Sequence, residues 1–127
     1  MVEANSPQCH CGNTKPYQLC CEPLHLGQAP ASAEALMRSR YSAYKLGLQD
    51  YLLNTWHVST RPQALDLSEP VNWLGLKVIG HSETDPLHAQ VEFVARYKLH
   101  GRAYRLHELS QFVCEQGRWF YIDGLAT

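Results

Sequence analysis

Four of the five cysteines in this chain fall within thirteen residues, in the stretch CHCGNTKPYQLCC at positions 9–21. The spacing is Cys9-x-Cys11, eight residues, then Cys20-Cys21. Two pairs of thiols joined by a short loop match the needs of a tetrahedral zinc site. Gly12, Asn13 and Pro16 suit a tight reversal that brings the pairs together. Four thiolates on one divalent ion leave a local charge of about −2 and no open position for water or substrate. The expected role of Zn2+ is therefore structural, one ion per chain, held by Cys9, Cys11, Cys20 and Cys21. So small a segment is not expected to fold without its metal. Other arrangements stay open at this point: a vicinal disulfide between Cys20 and Cys21, two ordinary disulfides, a nucleophilic thiol, or His10 or His25 replacing one cysteine. Cys114 stands apart in a predicted strand and reads as a small buried hydrophobe.

Which chemistry a cysteine cluster adopts depends on its compartment. The first eight residues, MVEANSPQ, lack a basic stretch followed by an apolar run, so no secretory signal is read. No run of about 18 apolar residues suggests a membrane span. A cytoplasmic location is the expectation, and reducing conditions there favour metal over disulfide. With 127 residues, 45% of them hydrophobic and 18% charged, the chain is expected to form one globular domain with a small appendage. A net charge of −1 supplies no global field for a polyanion.

The cysteine stretch resembles the SEC-C motif, the zinc-binding module at the C-terminus of the translocation ATPase SecA, which reads roughly C-P-C-G-S-G-K-x-Y-K-x-C-[CH]. Cys9, Cys11, Gly12, Lys15, Tyr17, Cys20 and Cys21 match in register. His10 replaces the proline and Asn13-Thr14 replace Ser-Gly, so the departures spare every ligand.

The remainder divides into a helical half and a strand half. Residues 23–30 read as a connector. Ser32 offers an N-cap and Glu34 suits a first turn. Met37, Tyr41, Tyr44 and Leu48 then share one helical stripe that stops near Gly47. A second helix is predicted over about Asp50 to His57, and a short third one in STRPQALDL, with Pro62 at its first position. Beyond Pro70 the pattern changes to period two. VNWLGLKVIGH, AQVEFVARYKLHG, RAYRLHELSQFVCEQG and RWFYIDG read as strands. Gly101 and Gly117 mark reversals, so the last three form an antiparallel meander. The fold class is α+β.

The segments ALMRSRYSAY, DYLLNTWH, NWLGLKV, FVARY and WFYIDG resemble the uncharacterised bacterial YchJ-like family. The resemblance runs from Cys9 to about Gly124. It implies a SEC-C-like zinc segment and connector at 1–30, followed by a nuclear transport factor 2-like cone at 31–127. In such a cone, helices pack into the concave face of a curved antiparallel sheet.

Strand alternation places Val91, Phe93 and Ala95 inward, with Glu108, Ser110 and Phe112 on the next strand and Trp119, Tyr121 and Asp123 on the last. Arg40 lies about 60° from the centre of its helical stripe, so it faces the sheet and needs a carboxylate; Glu108 is the expected partner. Arg38 lies further round, toward solvent or an acid at the rim. Asp123 precedes Gly124, where a turn or cap is the plainer reading. Trp56 is expected at the mouth or base of the cone, and His57 at a helix C-terminus. Trp73 reads as core or as a wall of a pocket. The candidate cone pocket thus comprises Arg40, Trp56, His57, Trp73, Phe93, Glu108, Trp119, Tyr121 and Asp123. His81, His88, His100 and His107 have no ligand spacing.

No catalytic residue is assigned. Domains of this fold include isomerases and dehydratases, but no second residue is seen that must act with His57. A non-enzymatic protein-binding module is the leading expectation. The SEC-C segment of SecA contacts the chaperone SecB and the ribosome, so the resemblance implies a chaperone, export or ribosome-linked protein partner. The alternative is a small-molecule binder or enzyme using the cone, which requires a pocket of roughly 300 Å3 or more. Nucleic-acid binding through Arg38, Arg40 and Lys45 is disfavoured by the charge balance, and no membrane is expected. Domains of this cone fold often dimerise through the open sheet face, which leaves a homodimer open.

Overall fold

The computed structural model describes residues 8–126. The N-terminal stretch MVEANSPQ lies, apart from Gln8, outside the described residues. The chain forms a short 3-10 turn at Tyr17–Leu19, then α1 (Glu22–His25), α2 (Ala33–Leu46) and α3 (Gln49–Asn54), and then β1 (Asn72–Asp85), β2 (His88–Leu99), β3 (Arg102–Glu115) and β4 (Arg118–Ala126). All strands join one antiparallel sheet in the order β1-β2-β3-β4. The meander thus includes β1, which runs four residues beyond its predicted end at His81.

Local chemistry sets the boundaries of α2. The Ser32 hydroxyl accepts from the Ala35 N–H at 3.1 Å. Gly47 ends the helix at φ 74°, where its N–H caps the Ala43 and Tyr44 carbonyls. Two of the hairpins turn at His100-Gly101 and Gln116-Gly117, with φ values of 51° and 79° and of 52° and 79°. Two consecutive residues in this region make the primed turn that suits the twist of an antiparallel pair.

The core lies between α2 and the inner face of the sheet, with Met37 and Tyr41 against Val91, Phe93, Ala95 and Phe112. Burying such a side chain contributes about 1.5–3 kcal/mol. Two predicted helices depart from expectation. The second ends at Asn54 instead of His57, because residues 55–57 extend along β4. There the His57 N–H donates to the Tyr121 carbonyl at 2.7 Å, and the Tyr121 N–H donates to the Thr55 carbonyl at 2.8 Å. This pairing covers part of the sheet's edge. The third helix does not form. The Thr60 hydroxyl donates to Ile122 O at 2.6 Å and the Gln49 amide to Leu65 O at 2.6 Å, which hold the segment as an irregular connector.

A bulge in β4 corrects one inward assignment. Phe112 pairs with Tyr121, but Gln111 pairs with Asp123, so Ile122 is an extra residue. One inserted residue reverses the alternation. Asp123 is therefore exposed beside Gln111, while Gly124 takes the inward position opposite Ser110.

Candidate metal centre and cone cavity

The cysteine segment folds back on itself through backbone bonds. The Cys9 N–H donates to the Lys15 carbonyl at 2.9 Å, and Gln8 and Pro16 form an isolated bridge. Gly12 sits at φ 92°, and a side chain there would meet the Leu76 carbonyl of β1 at 2.9 Å. Its lack of a Cβ permits both the turn and the approach to the sheet edge.

The loop brings Cys9, Cys11, Cys20 and Cys21 together, with all four sulfur atoms within 4.8 Å of one another. Cys11 Sγ and Cys20 Sγ are 3.5 Å apart, and Cys20 Sγ and Cys21 Sγ 3.9 Å. Zn–S bonds of about 2.3 Å in a tetrahedron place sulfur atoms about 3.8 Å apart, so the cluster fits the ion. No two cysteines are disulfide-bonded, and Cys9, Cys11 and Cys21 are buried. The Asn13 amide donates to Cys20 Sγ at 3.3 Å, a contact that would orient a ligand. With no cation, the packed thiols Cys9, Cys11 and Cys21 shift one another's ionisation in opposite directions. Hydrogen bonds with Cys11 and Cys21 pull the Cys9 pKa far down. Hydrogen bonds with Cys11 and Cys9, then burial, push Cys21 far up. A divalent cation would offset the repulsion between thiolates and favour full deprotonation.

Neither histidine joins the cluster. His10 is exposed. His25 has both ring nitrogens engaged: Nε2 donates to the Ser39 carbonyl at 2.8 Å, and Nδ1 accepts from the Tyr17 hydroxyl at 2.7 Å. The carbonyl can only accept, which fixes the tautomer. His25 thereby ties the cysteine segment to α2. Arg38 does the same, donating to the Cys11 carbonyl at 2.8 Å and to Glu34 at 2.9 Å. Sequence patterning missed this second buried face of α2. Its signal was polar: Ser39 and Ser42 are fully buried on a helix whose apolar stripe lies elsewhere.

The second site lies inside the cone. A cavity of about 280 Å3 is walled by aromatic side chains, with Arg40, Glu108 and Ser110 among its lining residues. Of the predicted pocket residues, Arg40, Trp73, Phe93, Glu108 and Tyr121 face it. Trp56, His57, Trp119 and Asp123 do not. Trp56 packs edge-on to Tyr121 at 5.0 Å, beside the Arg40 guanidinium. His57 lies at the β4 edge, 2.9 Å from Glu115, not at a helix C-terminus. Trp119 is buried and faces a separate cleft shared with α1 and α3.

Arg40 does not pair with Glu108. Its Nη1 donates to the Leu52 carbonyl at 2.8 Å and to Thr55 Oγ1 at 2.7 Å, at the C-terminal end of α3. The guanidinium lies 4.5 Å from the Tyr121 ring centroid and 5.1 Å from that of Trp56. The negative end of a helix and two aromatic faces replace the expected carboxylate. Glu108 accepts from the Ser110 hydroxyl at 2.7 Å. Its side chain crosses Gly124: a Cβ there would lie 2.8 Å from Glu108 Cγ and closer still to the carboxyl.

Three kinds of similarity extend this geometry. A family model described as YchJ, middle NTF2-like domain, matches residues 32–124. A UPF0225 protein of Cupriavidus metallidurans is 55% identical over 123 residues, covering 91% of this chain and 86% of the relative. A UPF0225 protein of Methylibium petroleiphilum is 57% identical over 119 residues, covering 91% and 86%. The solution structure of a SEC-C motif containing protein from Rhodopseudomonas palustris superposes with a TM-score of 0.84 at 39% identity, over 94% of this chain and 98% of that one. The crystal structure of a SEC-C motif containing protein from Psychrobacter arcticus gives 0.78 at 29% identity, over 98% and 84%.

Proposed function

We propose, from the premise that this chain belongs to the YchJ-like UPF0225 family, that it is a non-enzymatic, zinc-bearing protein-interaction module acting in the cytoplasm. The observation that carries this reading is the cluster of four thiols within 4.8 Å, held against α2 by Arg38 and His25. A metal held there would make the segment a rigid platform. The exposed residues of the segment include His10, Lys15 and Leu19, and Leu26 is exposed just beyond it. The partner class is a chaperone, export factor or ribosomal component, on the strength of the SEC-C resemblance. No helix among the described residues is long and apolar enough to cross a membrane.

The test is elemental analysis of full-length protein purified under reducing conditions without added metal. About one zinc per chain is expected, lost in Cys20→Ser and retained in Cys114→Ser. Cosedimentation with ribosomes and capture by an export chaperone should then require the intact cluster. Metal-free protein with four titratable thiols would end the metal reading. Equal capture by Cys20→Ser would end the platform reading.

A second reading is favoured by the cone cavity: small-molecule binding at a site about 280 Å3 in size, with charged groups on its wall.

A further inference from the structure

The cavity contains one positive and one negative side chain that do not touch. Arg40 is 5% exposed, yet among the described residues its only hydrogen bonds run from Nη1, to Leu52 and Thr55. Among the described residues no fully buried side-chain nitrogen or oxygen lacks a partner. Nε and Nη2 have none among the described residues, and Arg40 lines the cavity. Glu108 is a fixed acceptor on the same wall, held by Ser110 and folded over Gly124. Arg40 and Glu108 form no ion pair. Trp73, Tyr41, Phe93 and Phe112 supply flat apolar surface around them.

Resting on the small-molecule reading above, we infer that the cone takes a small, neutral, planar ligand whose edge carries an acceptor beside a donor, as in an aromatic carboxamide or lactam. The acceptor takes a hydrogen bond from Arg40, and the donor gives one to Glu108. An anion would satisfy Arg40 but face Glu108 across a space with mostly apolar walls, and a cation would face Arg40. Either leaves a like charge nearby in low dielectric, whereas a neutral amide edge compensates both groups. The aromatic walls select a flat body by stacking and edge contacts.

Three compounds of one shape separate these cases: benzamide, benzoate and benzamidine, which are neutral, anionic and cationic. Each is titrated into the full-length protein, and binding is read from the NMR shifts of the Trp73 indole and the Tyr121 ring. Benzamide is expected to bind with a Kd on the order of millimolar, with the other two at least about tenfold weaker. In Glu108→Gln the wall loses its negative charge, so benzoate should overtake benzamide. Benzoate or benzamidine binding best to the wild-type protein would overturn the ligand class while leaving the cavity as a binding site. An unchanged order in a folded Glu108→Gln would also overturn it. No shift from any of the three overturns the cavity reading itself. If Glu108→Gln does not fold, the wild-type order still decides.

Discussion

Arg38 reaches from α2 to the backbone of the cysteine loop, its Nη1 donating to the Cys11 carbonyl at 2.8 Å while its Nε is held by Glu34 at 2.9 Å. This one side chain joins the N-terminal segment to the first long element of the cone. Its target is a backbone carbonyl beside a thiol, and its charge lies close to a site that would carry about −2 with zinc bound.

Arg38→Ala is expected to cost about 1.5–2 kcal/mol, the lower part of the range for hydrogen bonds to charged groups, because the side chain is partly exposed. Metal content should not change, since no ligand is touched. Denaturant unfolding paired with elemental analysis checks both. Full stability in Arg38→Ala would show that the segment docks by other means.

His25→Phe separates a strut from a ligand. It removes the bonds to Tyr17 and the Ser39 carbonyl, leaving polar groups unpaired at a cost of about 1–3 kcal/mol. The metal-to-chain ratio should stay the same as in the wild-type protein. A ratio that falls in a folded variant would place His25 in the coordination sphere instead.

Gly124 is glycine because Glu108 occupies the space a side chain would need. Gly124→Ala should push the flexible end of Glu108 aside and break its bond to Ser110, a cost of about 0.5–1.5 kcal/mol. Adding Glu108→Ala should relieve the clash, so the double variant loses less than the sum of the single losses. Strict additivity in thermal melts would refute the contact.

Alkaline pH probes the tyrosines. Burial raises the phenol pKa of Tyr17, Tyr41, Tyr51 and Tyr121, most of all Tyr121, where Glu108 adds to burial and Arg40 opposes it. A phenol raised above its unfolded value of about 10 favours the folded state below that pH, and the advantage is lost as pH rises toward the folded value. Stability should therefore decline above about pH 10. Phenolate absorbance should show late-ionising tyrosines that titrate with unfolding. All seven tyrosines titrating together near the ordinary value in folded protein would contradict this.

Much of this molecule is determined by short-range pattern. Cys9, Cys11, Cys20 and Cys21 with a glycine between them specify a loop that gathers four thiols, because cysteine spacing and turn chemistry are local. Ser32 and Gly47 delimit α2, and the glycines at 101 and 117 delimit hairpins, for the same reason. What escaped the sequence depends on groups far apart in the chain. Arg40 was expected to need a carboxylate, but the end of α3 and the faces of Trp56 and Tyr121 were brought to it by folding. His57 lies outside its predicted helix, with its N–H on the Tyr121 carbonyl at the sheet edge. One unpaired residue in β4 moved Asp123 outward and put Gly124 beneath Glu108. The sequence alone therefore determined α2, the four strands, the clustering of the cysteines and the inward faces of β2 and β3, but not α1, which lies in the stretch read as a connector. Tertiary structure alone decided which polar groups meet in the cone and how the cysteine loop docks, because both depend on register and on hydrogen bonds between residues distant in the chain.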